Sequence, residues 1–510
     1  MIQHILDGLT NCLELKNLLV MFFAVPIGIL VGVLPGFGAT TGIAILLPVT
    51  FGMGLEPTTA FLLLISIFMA AEYGGSLSAI LINTPGTAAA VCTTFDGYPM
   101  AKNGKGLEAI YYSLSASTLG GFFGAVILLF FTPALAKFSL RFGPAETFWL
   151  AACGLALVGT LSSGNMLKGI SSAAIGILLG CVGMDPLTGH PRFTFGVPEL
   201  RSGLEVMAAL LGFFAVPQAL SMLEIKEKPI VQSISHGFNS FFKIFRDVLR
   251  YPMTLLKSAI IGTIVGIIPG AGASIATFIS YGEAKRCSKN PQKFGTGIPE
   301  GIICSEASNN ALVGGALVPL LAFGIPGNAA AAVLLGGLAI YGLRPGISLF
   351  TEQAPFVYTI FVGLFFTVFV MLAWGATTIR VFTNVLKVKP TYMVGPILVL
   401  VLIGVYSIRY QHGDMYALAL FGILAFFLMK LRFSLPAIVL GLILGHLVED
   451  NLRQAISIGE SHGNVWKYFF SSKIDIVLIL VTFFLISMTI FKELNIVNLI
   501  KKKKNELYGG

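Results

Sequence analysis

One apolar segment occurs twice in this chain and constrains its fold more than any other feature. Residues 27–39 return as residues 261–273 with eight of thirteen positions identical. Each copy carries one Pro-Gly pair, at residues 35–36 and 269–270. Proline removes a backbone donor and glycine permits a sharp reversal, so both copies predict a helix that is interrupted within an apolar stretch.

A second pair of breaks follows in the same order in each half. Residues 83–90 read Asn-Thr-Pro-Gly-Thr-Ala-Ala-Ala, and residues 324–331 read Gly-Ile-Pro-Gly-Asn-Ala-Ala-Ala. The chain therefore contains an internal repeat with two breaks in each copy.

The composition places these breaks in a membrane protein. Of 510 residues, 55% are hydrophobic and only 11% charged, against roughly 25% charged in soluble domains. Several apolar runs reach the roughly 17 to 25 residues that cross a bilayer, at residues 109–136, 147–167, 206–223, 355–379 and 391–408, with further runs near 416–429, 433–448 and 476–491. We predict an all-α polytopic membrane protein with roughly 12 membrane segments, and interrupted segments at matching places indicate a secondary transporter.

The charges suggest a division of the chain and its orientation. We expect a first half over 1–225 with a repeat core at 20–104, a basic linker at 226–257, and a second half over 258–510 with a repeat core at 258–346. The linker and the four lysines at 501–504 are predicted to be cytoplasmic by the positive-inside rule. Most of the net charge of +9 is then explained by basic residues in cytoplasmic segments, and no nucleic-acid partner is expected.

The second copy of the first break has basic residues on both sides. About 27 residues separate Lys257 from Lys285, and the Pro-Gly pair cuts them into pieces of about 11 and 14 residues, which reach only roughly 17 and 21 Å as helices. A re-entrant hairpin is the simpler path, and a broken spanning helix is the alternative. The amino-terminal copy lacks the basic flanks, which suggests that the two repeats are inverted.

Polar residues accompany the breaks. Helix starts after each Pro-Gly offer free N–H groups for an anion, and the opposite helix ends offer carbonyls that suit Na⁺. The alternative is that the glycines only let helices pack closely. The substrate-binding candidates are Gly36, Gly38, Thr40, Thr41, Ser76, Asn83, Thr84, Pro85, Gly86, Gly270, Gly272, Ser274, Asn309, Asn310, Pro326, Gly327 and Asn328.

Two acidic residues lie within the repeat cores. Glu72 and Glu306 are 234 positions apart, the same offset as the first break, and are candidates for binding a coupling cation or proton. They could instead cap helix N-termini. Asp96 and Arg344 are expected to be turn or interfacial anchors.

Motifs for catalysis are not found. The six histidines form no H-E-x-x-H, no nucleophile elbow or P-loop occurs, and the six cysteines form no C-x-x-C. We therefore predict no catalytic residues, no cofactor, and no metal beyond a possible Na⁺ as the coupling ion.

Several motifs together resemble the large membrane subunit of the tripartite tricarboxylate transporters. They are residues 32–38, 73–76, 83–86, 96–101, 191–196, 306–346 and 451–453, with Pro436, Gly441 and Gly445. The resemblance implies a permease of the bacterial inner membrane that works with a small four-helix membrane subunit and a periplasmic solute-binding protein. It also implies a carboxylate substrate and a Na⁺ or H⁺ gradient. Glu72 departs from the pattern, where an uncharged amide is expected.

The sequence thus predicts a solute:cation symporter subunit for a tri- or dicarboxylate. The two repeats would form a moving core against a scaffold made by the intervening and carboxyl-terminal spans. A carboxylate channel or facilitator is an alternative within transport, and a non-transporting membrane scaffold is an alternative outside it.

Overall fold

The structure, a computed structural model, describes residues 2–161, 166–185, 188–224, 239–386 and 388–487. The described residues fall into two compact units. The first contains those of Met1–Ser139 and Glu205–Phe426, and the second those of Leu140–Leu204 and Phe427–Gly510. The lysines at 501–504 and residues 226–238 of the predicted linker lie outside the described residues.

The chain is helical almost throughout. The amino-terminal helices are α1 (Ile2–Leu13), α2 (Leu15–Val33), α3 (Gly38–Gly52), α4 (Pro57–Ile82), α5 (Val91–Met100) and α6 (Gly106–Ser139). There follow α7 (Pro144–Leu161), α8 (Met166–Gly180), the antiparallel strands β1 (Gly183–Met184) and β2 (Pro191–Arg192), and α9 (Val206–Met222). The next helices are α10 (Asn239–Val248), α11 (Pro252–Ile267), α12 (Gly272–Cys287), α13 (Pro299–Phe323), α14 (Ala329–Ile340), α15 (Ile347–Glu352) and α16 (Ala354–Thr377). The last are α17 (Ile379–Val385), α18 (Thr391–Arg409), α19 (His412–Lys430), α20 (Leu435–Ser461) and α21 (Val465–Phe469).

Seven helical segments of the described chain are long and apolar enough to cross a bilayer. They are Leu15–Val33, Pro57–Ile82, Ala88–Ser139, Ala354–Thr377, Thr391–Arg409, His412–Lys430 and Leu435–Ser461. The pair formed by α10 and α11, bent by 76°, would add an eighth. A polytopic helical membrane protein is thereby confirmed, whereas the predicted total of roughly 12 segments stays a prediction.

The first break of each repeat joins two antiparallel helices. Lys257, near the start of α11, has its Nζ 3.3 Å from Glu283 Oε1 in the last turn of α12. In the first repeat, Lys16 Nζ near the start of α2 lies 2.7 Å from Glu56 Oε2, which follows α3. We call α2 and α3 the first hairpin, and α11 and α12 the second hairpin. The two ends of each hairpin therefore lie side by side, with the Pro-Gly pair at the tip.

Each hairpin packs closely on the long helix that follows it. A Cβ atom added to Gly32 of α2 would lie 2.1 Å from the Ala71 carbonyl oxygen of α4. One added to Gly262 of α11 would lie 2.1 Å from the Ser308 carbonyl oxygen of α13. The repeated glycines thus allow backbone-to-backbone contact within each repeat.

The long helices α4 and α13 touch near their midpoints. The side-chain amide of Asn309 donates to the carbonyl oxygen of Glu72 at 3.2 Å, and that of Asn310 donates to Met69 O at 3.0 Å. At the far end of the second repeat, the ring of Tyr341 lies 5.6 Å from that of Phe51, at the end of α3. The second repeat therefore ends beside the base of the first hairpin.

The second breaks correspond at an offset of 241 positions, not 234. Asn83 and Gly324 end α4 and α13 in the same left-handed conformation, with φ of 55° and 71°. The link from α12 to α13 is longer than that from α3 to α4 by seven residues. The structural counterpart of Glu72 is consequently Val313, and the matching of Glu72 with Glu306 was wrong.

Asp96 is a buried anchor inside α5 rather than part of a turn. Its Oδ1 accepts the backbone N–H groups of Gly295, Gly297 and Ile298 at 2.9, 2.9 and 3.0 Å. Its Oδ2 accepts the hydroxyl of Tyr281 at 2.7 Å. The first repeat therefore ends by holding the backbone that leads into α13.

We expect Asp96→Ala to lower the free energy of unfolding by about 3–5 kcal/mol, because four donors lose a buried charged acceptor. Asp96→Asn keeps one acceptor oxygen and should lose less. Thermal unfolding of the purified protein in detergent measures both. Equal midpoints for the wild type and Asp96→Ala would contradict this role.

In the second unit, an ionic network joins the β-hairpin region to α20. Arg192 Nη1 lies 2.6 Å from Glu449 Oε1, and Arg453 Nη2 lies 2.8 Å from Asp185 Oδ2 and 2.6 Å from Glu449 Oε1. Two motifs distant in sequence, around Arg192 and Arg453, are thus parts of one structural connection.

Candidate functional site

Two carboxyl groups are buried where α4 and α13 meet. The side chain of Glu72 is 7% exposed and that of Glu306 is fully buried. The two carboxylates lie within electrostatic range of each other. Among the described residues, neither forms an ion pair with a lysine or arginine. Their position within helix interiors does not fit the alternative that they cap helix N-termini.

Both carboxylate oxygens of Glu306 accept a hydrogen bond. Thr93 of α5 donates its hydroxyl to Oε1, and Ser117 of α6 donates to Oε2 at 3.0 Å. Ser113 lies next to this group and shares a 2.6 Å hydrogen bond with Ser76. Ser76 therefore belongs to a network of hydroxyls beside Glu306.

Glu72 lies among oxygen atoms that lack partners. The side chains of Thr87 and Asn309 lie next to its carboxylate. Within the part of the chain that the structure describes, Glu72 Oε2, Thr87 Oγ1, Asn309 Oδ1 and Asn310 Oδ1 are buried without a hydrogen-bond partner. Buried polar atoms are normally paired, and the side chains of Thr87 and Asn309 lie close enough to interact with the Glu72 carboxylate. This group of buried oxygens is a candidate cation site.

The second hairpin contacts the break of the first repeat. Ser274 and Thr277 of α12 donate their hydroxyls to the carbonyl oxygens of Ala88 and Ala89 at 2.9 and 3.1 Å. At the tip, Gly270 N donates to Gly327 O at 3.0 Å. The tip of the second hairpin thus contacts the second breaks of both repeats. The predicted site residues Gly270, Ser274 and Gly327 therefore lie in one region.

The first hairpin is placed in a related way. A Cβ atom added to Gly38 would lie 3.9 Å from the carbonyl oxygen of Gly86 and 4.0 Å from Cγ2 of Thr87. Helix α3 also contacts α14, where the side chain of Leu47 packs against Gly337. Thr40 and Thr41 follow in the first turn of α3. Neither α3 nor α12 has a side chain that caps its N-terminus, so both tips present helix N–H groups that suit an anion.

Several polar residues near these tips were not predicted from the sequence. The side-chain amide of Gln218 in α9 lies so close to Gly36 that a Cβ atom added there would be 2.4 Å from its Nε2. Thr93 and Ser117 donate hydrogen bonds to Glu306. The sequence signal that could have identified these residues is that each is polar and lies within an apolar segment. They are distant in sequence from the breaks, so the sequence did not show that they contact the site.

The residues of the second breaks have different roles. Asn328 accepts the backbone N–H of Ala331 at 2.9 Å and so caps α14. Asn83 and Thr84 are exposed, and the Thr84 hydroxyl donates to Ile82 O at 3.3 Å. Pro326 and Gly327 lie beside the tip of the second hairpin, whereas Pro85 and Gly86 lie against α4, where Gly86 N donates to Gly75 O at 3.2 Å.

We expect Asn83→Gly to keep the stability of the wild type, because glycine adopts the left-handed conformation freely. Asn83→Ala should lose about 1 kcal/mol. The midpoints of thermal unfolding for the two variants check this. A greater loss with glycine than with alanine would contradict a conformational role for Asn83.

Comparison with known proteins identifies a family and two related proteins. The Tripartite tricarboxylate transporter TctA family matches residues 18–440. An Agrobacterium vitis protein described as "Uncharacterized 52.8 kDa protein in TAR-I ttuC' 3'region" is 33% identical over 466 residues, 91% of this chain and 92% of that protein. A second, "Uncharacterized protein in TAR-II ttuC' 3'region" from the same organism, is 31% identical over 205 residues, 40% of this chain and 85% of that protein. No solved structure matches the chain.

The matched family is one of transporters and not of enzymes. It covers both repeats and all of the candidate site residues, and its members are components of tripartite systems. With seven described segments able to cross a bilayer, the chain is a multi-pass membrane protein that belongs to the tripartite tricarboxylate transporter TctA family.

Proposed function

We propose that this chain is the large membrane subunit of a secondary transporter that imports a tri- or dicarboxylate together with Na⁺ or H⁺. The observation that carries the proposal is the meeting of hairpin tips and second breaks across the two repeats, beside two buried carboxylates without basic partners. Anion-attracting helix starts and a cation-attracting pocket then lie within one polar region.

The carboxylate substrate would bind at the uncapped N-termini of α3 and α12. Helix N–H groups bind an anion without a cationic side chain. Gly38 and Gly272 carry positive φ values of 63° and 73° at these starts, and a built Cβ on Gly272 meets no atom within 4 Å. The open space beside Gly272 and the uncapped N–H groups of both helices support this placement.

The two repeats would be inverted in the membrane. Asp96, at the end of the first repeat, binds the backbone at the base of the second hairpin, and Tyr341, at the end of the second, lies at the base of the first. Each repeat would thus start near the end of the other, which supports an inverted arrangement of the two repeats. The hairpins would then be re-entrant from opposite sides, and the repeats would move as a core against the remaining helices.

The predicted setting is the bacterial inner membrane with a cytoplasmic carboxyl terminus. A periplasmic solute-binding protein would deliver the carboxylate, and a small four-helix membrane subunit would complete the permease. In this arrangement the binding protein selects the carboxylate, so the membrane site need recognise only charge and size.

Uptake into proteoliposomes tests the proposal. The chain is reconstituted with its small subunit, with and without its binding protein, and supplied with radiolabelled citrate and a panel of other di- and tricarboxylates under imposed Na⁺ or H⁺ gradients. Accumulation above equilibrium with one gradient is expected. Equilibration that ignores both gradients would instead identify a channel or facilitator, and no uptake of any carboxylate would favour a scaffold.

A further inference from the structure

We propose that Glu72, Thr87 and Asn309 bind one Na⁺ ion, and that Glu306 is not one of its ligands. This inference rests on the proposed cation coupling and assigns it to a site. The three side chains come from α4, from the break after α4, and from α13. They are 7%, 7% and 0% exposed, so a bound ion would be almost fully removed from water.

The orientation of Asn309 is fixed by its neighbour. Its Nδ2 donates to the backbone carbonyl of Glu72 at 3.2 Å. Turning the amide over would place Oδ1 against that carbonyl, bringing two acceptors together. Oδ1 is therefore held as an acceptor, and no described residue donates to it.

The donor set selects the kind of ion. Glu72 Oε2, Thr87 Oγ1 and Asn309 Oδ1 are all oxygens without a hydrogen-bond partner in the described chain, which suits a hard cation and not a soft transition metal. One carboxylate with neutral oxygens matches a single positive charge, whereas Ca²⁺ usually takes several carboxylates. A proton on Glu72 would supply one donor only, whereas the proposed Na⁺ would be coordinated by all three oxygens.

Glu306 has a different part. Both of its oxygens already accept hydroxyl hydrogens, from Thr93 and from Ser117. Its oxygens are thus already held by hydroxyl donors, unlike Glu72 Oε2, and its charge lies within electrostatic range of Glu72. Glu306 would raise the affinity for a cation through its charge, while Glu72 would coordinate the cation.

The site is placed to couple the ion to the substrate. Thr87 immediately precedes Ala88 and Ala89, whose carbonyl oxygens accept hydrogen bonds from Ser274 and Thr277 of α12. An ion bound by Thr87 and Asn309 would link the first repeat to α13. It would also fix the position of the segment after Thr87, which the start of α12 contacts. Occupancy of the Na⁺ site would thereby order the proposed carboxylate site.

Na⁺-dependent thermal stability of the purified protein tests the site without requiring transport. Unfolding midpoints are measured against NaCl, with choline chloride replacing it at constant ionic strength. We expect Na⁺ to stabilise the wild type, and the half-saturating concentration to rise at least about tenfold in Glu72→Gln, Thr87→Val and Asn309→Ala, since each substitution weakens or removes one ligand of the ion. Thr87→Ser keeps the oxygen and should bind as the wild type does.

Ser66→Ala is the matched control, because Ser66 is a buried α4 residue that is paired with Thr367 at 2.8 Å, away from the site. It should retain the Na⁺ response. An unchanged half-saturation in Glu72→Gln and Asn309→Ala would overturn the assignment, as would a wild type that responds to pH but not to Na⁺. A Na⁺ response at this site in a protein that takes up no carboxylate would reject the proposed function and leave the site standing.

Discussion

Alanine at Gly86 or at Gly327 should prevent the chain from reaching its folded state. A Cβ on Gly86 would lie 1.9 Å from the Gly32 carbonyl oxygen, and one on Gly327 would lie 2.2 Å from that of Gly266. Both clashes are with backbone of the hairpin arms, which cannot rotate away. Overpacking usually costs about 1–3 kcal/mol even where side chains can adjust, so the expected loss is larger than that.

Size-exclusion chromatography of the expressed variants measures this effect. We expect aggregated or absent protein for Gly86→Ala and for Gly327→Ala. Gly282→Ala is the control within α12, because a Cβ there meets no atom within 4 Å, and it should elute as the wild type does. Monodisperse protein with normal thermal stability from both break variants would show that the backbone contacts at the second breaks are not required.

Replacing Glu306 by glutamine should leave the chain folded but remove most of its coupled uptake. The variant preserves shape, and the hydroxyls of Thr93 and Ser117 can still pair with the amide. It removes a charge within electrostatic range of Glu72, and a nearby unit charge contributes on the order of 2 kcal/mol at an effective dielectric constant of about 20. We therefore expect cation affinity to fall roughly 30-fold.

Uptake at increasing Na⁺ or H⁺ concentrations measures the shift. Raising the cation concentration should restore uptake in Glu306→Gln, since the ligands of the site remain. Thr367→Val, which alters a buried hydroxyl pair with Ser66, is the control and should retain normal cation dependence. Uptake by Glu306→Gln with the half-saturation of the wild type would contradict an electrostatic role for Glu306.

Local sequence signals predicted the features that depend on local chemistry. The Pro-Gly pairs mark real interruptions, because Gly36 and Gly270 adopt φ values of 76° and 75° at the tips. The repeated glycines mark close helix contacts, as at Gly32 and Gly262. Both features follow from the backbone freedom and small size of glycine. They could therefore be predicted from either copy of the repeat alone.

Features that depend on distant contacts could not be predicted in the same way. Asp96 binds backbone groups about 200 positions away, and Thr93 binds Glu306 at a separation of 213. The pairing of Glu72 with Glu306 by a constant offset failed because the α12–α13 link contains seven additional residues. The unpartnered oxygens around Glu72 arise from the meeting of three separate segments, and only the folded chain reveals them.

We propose that the tips of both hairpins form one carboxylate site. Cysteine protection tests it directly, with Thr40→Cys and Ser274→Cys introduced separately after the exposed Cys287 is changed to serine. Met53→Cys, at the exposed opposite end of α3, is the control. We expect citrate, or the carboxylate best accumulated in proteoliposomes, to slow maleimide labelling at both tips and to leave Met53→Cys unaffected. Protection at neither tip, or at one repeat only, would contradict a shared site.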